Sequence, residues 1–344
     1  MREGDGRTES PASSILVVGG GAIGGVIAAS LAGTVDRVAV LDTRGEHVSR
    51  LRAPGLRVDL LGDERTVPLE AYAAPADIPG RFAAALVTVK ATDLDAALRP
   101  LAGREIADVY VSLGNGLVQE RVGGLVGRQR LIVGIVEWGA TNLGPGRVKR
   151  TTDAPIVLGE PHGGLEPRTE HLAQILAPVA EVILSRNIWG HVWSKLLLNA
   201  TFSGLGTVAG QLYRDVAVDP AGPQAIRAVW TEGYRVAHAA GVAVEPIVGV
   251  PPDALSDDSG SRSIQAALQT IVGRLGSTKA SMLQDIERGM ATEIDVINGA
   301  LVGCGRRLGV PTPCNARVVG LVHAMERGRQ HPHAGLLQEV VAAR

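Results

Sequence analysis

The chain has 344 residues, which is more than a single hydrophobic core usually organises, so we expect two domains. Its 34 Lys and Arg nearly balance 35 Asp and Glu, and a formal net charge of -1 provides no basic footprint for a nucleic acid or an anionic membrane. We therefore expect a small-molecule partner, with no nucleic acid and no membrane involved.

The first residues lack the apolar stretch of a secretory signal. Residues 1–13 are polar and charged, and the apolar run at 15–18 is too short to cross a bilayer. Cys304 and Cys314 are too few for a disulfide scaffold and too far apart for a C-x-x-C motif, so we interpret both as reduced packing residues. We expect a disordered tail over residues 1–13 and a cytoplasmic protein.

The first half of the chain alternates short β-branched runs with helical segments, which is typical of a parallel sheet covered by helices. Turn clusters at 144–146 and 161–164 flank a predicted terminal hairpin of that sheet. The pattern predicts an α/β, Rossmann-type parallel sheet domain over residues 14–186. It contains a helix over 22–31 and strands over 15–18, 38–41, 86–89, 109–112 and 131–136.

Strand signals stop after about 157–159, and amphipathic segments follow. Apolar residues at i, i+3 and i+4 predict helices over 225–240, 263–275 and 293–308, and the turn-rich stretch 250–260 connects the first two. The sequence therefore predicts an all-α C-terminal domain over residues 187–344.

A glycine-rich loop joins the first predicted strand to the first predicted helix. In the G-x-G-x-x-G pattern, the first glycine permits a tight turn, the second lets the backbone approach a pyrophosphate, and the third lets helix and strand pack closely. The alternative is an ordinary turn in a protein with 44 glycines, but the flanking strand and helix favour a dinucleotide site. The residues of the pattern are Gly19, Gly20, Gly21, Ala22, Ile23 and Gly24.

The choice between NAD and NADP is expected at the end of the second strand. Asp42 follows that strand, and a carboxylate there accepts hydrogen bonds from the adenosine ribose and repels a 2′-phosphate. Arg44 is able to hold a 2′-phosphate instead, or to stack on adenine. Each residue also has an interpretation without a role in cofactor binding: Asp42 as a helix or turn cap, and Arg44 as a solvated side chain. The sequence therefore predicts an NAD(P)H-dependent protein and weakly favours NAD(H) over NADP(H).

Two polar residues interrupt an apolar helical stretch. Lys195 and Asn199 lie at i and i+4 and so share a helix face. A lysine among leucines either extends to the surface or faces a functional cleft, because burying an ammonium without a partner is costly. Further along, Thr292 precedes Glu293 and Asp295, and on the pattern alone it is an N-cap with acids in the first helical turn.

Taken together, these segments resemble the ketopantoate reductase family, in the same order and over nearly the whole chain, from about residue 15 to about residue 315. Each segment is short, but six of them in order make a specific joint signal. They are the loop at 19–24, Val89-Lys90-Ala91, Gly114-Asn115-Gly116, Lys195-Leu-Leu-Leu-Asn199, Ser281-Met-Leu-Gln-Asp285, and Thr292-Glu-Ile-Asp295 with Asn298-Gly299.

The resemblance implies a Rossmann domain, a helical domain, a substrate cleft between them, and NAD(P)H-dependent reduction of ketopantoate (2-dehydropantoate) to pantoate. It implies that Lys195 is the proton donor and that Glu293 holds this lysine and the cofactor. For the other residues it implies that Asn115 lies near the nicotinamide ribose and the substrate, Asn199 binds the substrate's hydroxyl or keto group, Ser281 binds its carboxylate, and Lys90 and Ala140 line the cofactor. No metal is implied.

Two departures from the family pattern concern the substrate. Ser203-Gly204 stands where the family usually has Asn-Pro, so a substrate contact at Ser203 is shortened or lost. Glu137 and Trp138 stand where the family commonly has threonine and smaller groups. Three alternatives to ketopantoate reduction therefore remain open. The protein could reduce another 2-oxo acid, act as a 2-hydroxy acid dehydrogenase with a different substrate, or be a non-catalytic NAD(P)-binding regulator. The sequence also leaves open the reaction direction in the cell and the oligomeric state, with a homodimer as one alternative.

Overall fold

The computed structural model describes residues 13–256 and 260–344. The chain divides into two compact units, one formed by Met1–Gly114 and Val118–Ile188, the other by Asn115–Leu117 and Trp189–Arg344. The tail that we predict to be disordered lies outside the described residues except for Ser13, whose hydroxyl donates a hydrogen bond to Asp36 at 2.7 Å.

The first unit consists of strands and the helices that cover them. Its strands are β1 (Ser14–Val18), β2 (Arg37–Leu41), β3 (Leu56–Leu60), β4 (Asp63–Val67), β5 (Glu70–Tyr72), β6 (Phe82–Val87), β7 (Ala107–Ser112), β8 (Leu131–Val136), β9 (Ala140–Asn142), β10 (Arg147–Arg150), β11 (Ile156–Gly159) and β12 (Val182–Leu184). Its helices include α1 (Ala22–Leu31), α2 (Gly45–Arg50), α3 (Leu94–Gly103), α4 (Gln119–Val126) and α5 (Pro167–Leu176).

The main sheet confirms the predicted parallel architecture. Among the described residues, eight strands form it in the order β12-β11-β8-β7-β6-β1-β2-β5. All its neighbouring strands are parallel except the pair β8 and β11. Because β1, β6 and β8 are buried almost throughout, they have the apolar sequences that buried parallel strands show. The glycine loop follows directly at the carboxyl end of the central strand β1.

A second, smaller sheet corrects the prediction of a terminal hairpin. The hairpin predicted between the two turn clusters does not form: β11 lies in the main sheet, whereas β10 pairs with β9 around residues 143–146 in a separate sheet of the order β4-β3-β10-β9. This sheet was not predicted because β4 is almost wholly exposed and β10 alternates exposed with buried residues, so neither has an apolar run. Likewise, β12 lies beyond the point where the strand signals stop, and it is a short, partly exposed edge strand.

Helix α1 is covered by both sheets, which explains its small residues. A Cβ on Gly24 would face the main sheet, 2.9 Å from Val17 Cγ1, whereas a Cβ on Gly25 would face the second sheet, 3.1 Å from Val148 Cγ1. Small side chains let a helix approach a sheet closely, so the sequence of α1 fits a helix packed on two sides. The second sheet therefore fixes α1, and with it the loop that precedes it.

Among its described residues, the regular elements of the second unit are all helices. It comprises α6 (Ile188–Leu198), a π-helical turn (Asn199–Ser203), α7 (Gly204–Ala209), α8 (Tyr213–Val218), α9 (Gly222–Ala239), α10 (Ser261–Leu275), α11 (Ser281–Glu287), α12 (Asn298–Leu308), α13 (Pro313–Glu326) and α14 (Leu336–Ala342). The fully buried Trp230 of α9 lies in its core. An all-α C-terminal domain is confirmed.

One predicted helix begins in the wrong place. We predict a helix over 293–308, but α12 begins at Asn298, and residues 293–297 form turns. Thr292 Oγ1 accepts a hydrogen bond from Ile294 N at 3.2 Å, so its hydroxyl caps a local turn rather than a helix. The acids near Thr292 suit a helix N-terminus equally well, which is why the pattern misled.

Two further observations concern the described residues as a whole. No helix among them combines the length and apolar character needed to span a bilayer. Cys304 and Cys314 are both buried, and both carry thiols rather than a disulfide, as we predict.

Candidate active site

The glycine loop has the geometry that a dinucleotide requires. Gly19 has a φ of +103°, and a Cβ there would lie 2.9 Å from Val89 N. A Cβ on Gly24 would lie 1.9 Å from Gly19 O, so helix and loop approach as closely as the motif demands. A Cβ on Gly21, at the start of α1, would meet nothing within 4 Å. The loop therefore leaves open space in front of the free N–H groups of a helix N-terminus, which suits a pyrophosphate.

His47 holds this loop by hydrogen bonds and was not predicted as a site residue. Its imidazole is buried, with Nε2 2.6 Å from Gly20 O and Nδ1 3.0 Å from Gly146 N. Because a backbone N–H only donates, Nδ1 accepts from Gly146, and Nε2 carries the proton that it donates to Gly20 O. Burial, together with the charge of Arg44, lowers the pKa of His47, which favours this neutral form. The imidazole thus ties the loop to the second sheet.

Asp42 and Arg44 form an ion pair beside the loop. Asp42 Oδ2 accepts a hydrogen bond from Gly20 N at 2.9 Å. Arg44 donates to both carboxylate oxygens, from Nε at 2.8 Å and from Nη2 at 2.6 Å. Burial raises the pKa of Asp42, but the hydrogen bonds and charge of Arg44 outweigh it, so the net pKa lies below the usual value and the carboxylate stays ionised. Both predicted determinants of cofactor choice therefore lie at one place.

The other predicted cofactor residues are also in the first unit. Lys90 is half-buried and follows Val89, the residue that packs on Gly19. Ala140 begins β9 in the second sheet and is half-buried. The hydroxyl of Thr88, which sequence reasoning missed, donates to Gly19 O at 2.7 Å and so helps to hold the loop.

Lys195 and Asn199 are singled out by their exposure. Within the described run 192–209, which is helical from end to end, every residue is buried except these two, and both are partly exposed. They lie at i and i+4, Lys195 in the last turn of α6 and Asn199 at the start of the π-helical turn. Such turns are frequent at functional sites. The helix therefore exposes one ammonium and one amide on an otherwise buried surface.

A buried polar network holds the π-helical turn. Asn298, at the start of α12, donates from Nδ2 to Ala200 O at 2.9 Å and to Asn315 Oδ1 at 3.0 Å. Glu232 on α9 accepts hydrogen bonds from the backbone N–H groups of Cys314 and Asn315 and from Asn315 Nδ2. The carboxylate thereby satisfies the N-terminus of α13, where a negative charge is favourable. None of these links has a local sequence signal, because each joins residues far apart in the chain.

Asn115 and Glu293 are brought together from distant parts of the sequence. Asn115 Nδ2 donates to Glu293 Oε2 at 3.0 Å, and both side chains are half-buried. The neighbouring backbone is locked as well, since Leu117 N donates to Val296 O at 3.1 Å and a Cβ on Gly116 would lie 2.1 Å from the same oxygen. Only glycine permits this approach, which explains the glycine at position 116.

The two predicted serines are placed differently. Ser281 is exposed at the first residue of α11, a helix that packs on the π-helical turn. Ser203 ends that turn and is buried, and its hydroxyl lies 2.5 Å from the hydroxyl of Tyr213. Burial raises the pKa of Tyr213 to about 12, although the hydrogen bond to Ser203 opposes this shift, so the phenol stays neutral. The Ser203 side chain therefore contacts Tyr213. The asparagine that the family usually has at this position is longer and would extend further.

The first unit has a parallel sheet with a glycine loop of the dinucleotide-binding type. The second unit is helical and carries a partly exposed lysine and a partly exposed carboxylate. These are the features of a two-domain dehydrogenase. The family models place the chain within that class. The model described as ketopantoate reductase PanE/ApbA matches residues 15–163, and the model of the same family's C-terminal region matches residues 187–326. The chain belongs to the ketopantoate reductase family and is an NAD(P)-dependent oxidoreductase.

Individual relatives agree with this assignment. The 2-dehydropantoate 2-reductase of Mesorhizobium japonicum is 30% identical, with 91% of this chain and 98% of the relative covered. A crystal structure of a PanE/ApbA family ketopantoate reductase from Ralstonia eutropha JMP134 gives a TM-score of 0.79 at 26% identity, covering 92% of this chain and 100% of the other. A ternary structure of D-mandelate dehydrogenase with NADH and anilino(oxo)acetate gives a TM-score of 0.80, covering 92% and 99%; at 24% identity this likeness concerns the fold alone.

Proposed function

We propose that this enzyme reduces 2-dehydropantoate to pantoate, or a closely related 2-oxo acid to its 2-hydroxy acid, with NAD(P)H as the reductant. The observation that carries the proposal is the exposure of Lys195 and Asn199 within the buried run 192–209. The names of the relatives support the substrate class. When bound, NAD(P)H supplies the hydride, and the loop at 19–24 with Asp42 and Arg44 would hold it.

The residues of the chain supply the proton and the orientation. Reduction of a ketone builds negative charge on its oxygen, and the Lys195 ammonium both stabilises that charge and donates the proton to that oxygen. A carboxylate favours the protonated form of a neighbouring lysine, and we assign this role to Glu293. Asn115 fixes the Glu293 carboxylate through its hydrogen bond. We assign the substrate's hydroxyl or keto group to Asn199 and its carboxylate to Ser281.

One observation favours a substrate other than ketopantoate itself. The Ser203 hydroxyl is buried and paired with Tyr213, so it does not replace the amide that the family pattern has at this position. The loss of a single polar contact changes the preferred substituent of the substrate without removing the proton donor. A 2-hydroxy acid dehydrogenase with a different substrate is therefore the second candidate.

The decisive experiment is a substrate panel with matched lysine variants. Oxidation of NADH and of NADPH is followed with ketopantoate and a series of 2-oxo acids. Lys195→Ala should lower kcat by about 10²- to 10⁴-fold, the usual contribution of a positioned general acid, while affinity for the cofactor changes by less than about threefold because other residues hold it.

Lys149→Ala is the control, since this exposed lysine pairs with Asp59 in the second sheet and should leave kcat unchanged. Turnover of Lys195→Ala within about threefold of wild type would remove this lysine from the mechanism. Tight cofactor binding without turnover of any 2-oxo acid would overturn the proposal in favour of a non-catalytic regulator.

A further inference from the structure

The turn segment 292–297 carries Glu293 but has little structure of its own. It lies between α11 and α12, and residues 294–297 form hydrogen-bonded turns rather than a helix. Its start is fixed by α13, because Thr292 donates to Glu326 Oε1 both from its backbone N and from its hydroxyl, each at 2.8 Å. The position of Glu293 therefore depends in part on how firmly Glu326 is held, in addition to the contact of Leu117 N with Val296 O.

His323, one turn before Glu326 on α13, links that carboxylate to the same segment. Its Nδ1 lies 2.7 Å from Glu326 Oε2, and its Nε2 lies 3.0 Å from Asp295 Oδ1. An ionised carboxylate only accepts hydrogen bonds, so both ring nitrogens must donate for both contacts to be favourable. The imidazolium satisfies this condition and a neutral tautomer does not. His323 thus bridges α13 and the segment two residues beyond Glu293.

We propose that protonated His323 is a positioning residue for Glu293: with the ionised Glu326 and Asp295 it forms a clasp that closes on the 292–297 segment at mildly acidic pH and loosens when the imidazole loses its proton. The clasp acts on the carboxylate to which we assign the orientation of Lys195, so its effect on turnover rests on the proposed function. Its effect on the segment itself does not.

Electrostatics around the imidazole agree with the geometry. The hydrogen bond to Glu326 is the main cause of a raised pKa for His323, partial burial opposes it, and Asp295 adds to it. Among the described residues, the charged groups that act on the ring are Glu326 on its own helix and Asp295 on the segment. Burial raises the pKa of Glu326, but the hydrogen bonds from Thr292 and His323 outweigh it, so the net pKa is lowered. The clasp is therefore an ion pair at moderate pH.

The direction of the pH effect follows from linkage. Because the folded-state pKa of His323 is raised, its contribution to stability is fully present below the ordinary histidine pKa of about 6.5 and is lost as the pH rises through the folded value. The 292–297 segment should follow the same course. Asp295 is largely exposed, so solvent and salt weaken its contact more than that of Glu326.

Three variants test the clasp. His323→Gln offers one amide donor group and no charge, so it should loosen the segment at every pH. His323→Arg keeps a permanent cation with several donors, so it should hold the segment closed without pH dependence. His238→Gln is the matched control, because His238 is exposed near the end of α9.

Amide exchange of peptides spanning 292–297, measured by mass spectrometry, is compared between variants at the same pH. At pH 6 we expect about tenfold faster exchange in His323→Gln than in wild type, the size expected from losing a charge-assisted hydrogen bond, and no change in His238→Gln. At pH 8.5 the wild type should approach His323→Gln, whereas His323→Arg stays slow. Equal exchange in wild type and His323→Gln at pH 6 would overturn the proposal.

Kinetics separate a clasp from general stabilisation. On whichever 2-oxo acid is turned over, His323→Gln should lower kcat by a larger factor than it raises the dissociation constant for NADH, because the loop at 19–24 also holds the cofactor. His323→Arg should restore kcat and abolish this part of the pH profile. If no 2-oxo acid is turned over, the proposed function fails, yet the exchange measurement still decides the clasp. If turnover is found and its pH profile is the same in all three proteins, the link from His323 to Glu293 is wrong.

Discussion

The side-chain amide of Asn115 donates a hydrogen bond to Glu293 Oε2 across 178 residues of sequence. Both residues belong to the helical unit, because the short stretch Asn115–Leu117 packs with it although the chain on either side belongs to the sheet unit. The hydrogen bond from Leu117 N to Val296 O and the close approach of Gly116 to the same oxygen keep the two segments that carry this pair together. The carboxylate is therefore oriented by backbone contacts as well as by the amide.

The ion pair of Asp42 and Arg44 predicts how cofactor preference responds to mutation. We expect wild type to use NADH at least as well as NADPH, because the ionised Asp42 carboxylate repels a 2′-phosphate. Asp42→Ala removes this repulsion and frees the Arg44 guanidinium, so kcat/KM should shift towards NADPH.

Arg44→Ala is the opposing variant and should weaken NADPH more than NADH. Both are checked by steady-state kinetics with the two cofactors. A wild-type preference for NADPH of tenfold or more, about 1.4 kcal/mol, would mean that Arg44 rather than Asp42 governs the site.

Two glycines of the same loop should respond differently to alanine. A Cβ on Gly24 would lie 1.9 Å from Gly19 O, so Gly24→Ala must displace the loop and should cost at least about 1–3 kcal/mol in the free energy of unfolding. Gly21→Ala meets open space and should leave that free energy within about 0.5 kcal/mol.

If Gly21 faces the pyrophosphate, its methyl group should still weaken NADH binding, by roughly tenfold. Urea unfolding and fluorescence titration with NADH separate the two effects. Unchanged NADH affinity in a stable Gly21→Ala protein would place the pyrophosphate elsewhere.

Local patterns predicted the elements with strong periodicity. Helix α1 occupies the predicted residues 22–31, and the predicted strands 15–18, 38–41, 109–112 and 131–136 lie within observed strands, whereas 86–89 overlaps only the last two residues of β6. The i, i+4 spacing of Lys195 and Asn199 was enough to place both on one face of a helical run. Signals of this kind lie within a few residues of one another, so a single sequence contains them.

Contacts between distant residues were not predictable in the same way. His47 reaches Gly20 across 27 residues, and Glu232 reaches Asn315 across 83. A lone histidine or glutamate in a helix gives no indication of such a partner. The second sheet was missed for a related reason, because its exposed edge strands pair without an apolar run. Residues 293–297 were predicted as helix because Thr292 and the acids after it satisfy local capping rules.

The network below the π-helical turn gives the last prediction, in which Asn298→Ala lowers both stability and turnover. The variant removes the two Nδ2 hydrogen bonds and leaves Ala200 O and Asn315 Oδ1 buried without this donor, at a cost of about 1–3 kcal/mol for each unsatisfied group. The turn that presents Asn199 should then relax, so KM for the 2-oxo acid should rise, while NADH affinity stays the same.

Thr201→Val is the matched control, because Thr201 is buried in the same turn and its hydroxyl has no hydrogen-bond partner among the residues that the structure describes. Replacing an unpaired buried hydroxyl by a methyl group of similar shape should leave stability equal or higher and KM unchanged. Unfolding in urea and steady-state kinetics on both variants make the comparison. If Asn298→Ala loses stability but keeps the KM of wild type, the network supports the fold without positioning Asn199. If Thr201→Val raises KM as much as Asn298→Ala does, any change in the turn disturbs the site, and the hydrogen bond from Asn298 to Ala200 has no special part in holding it.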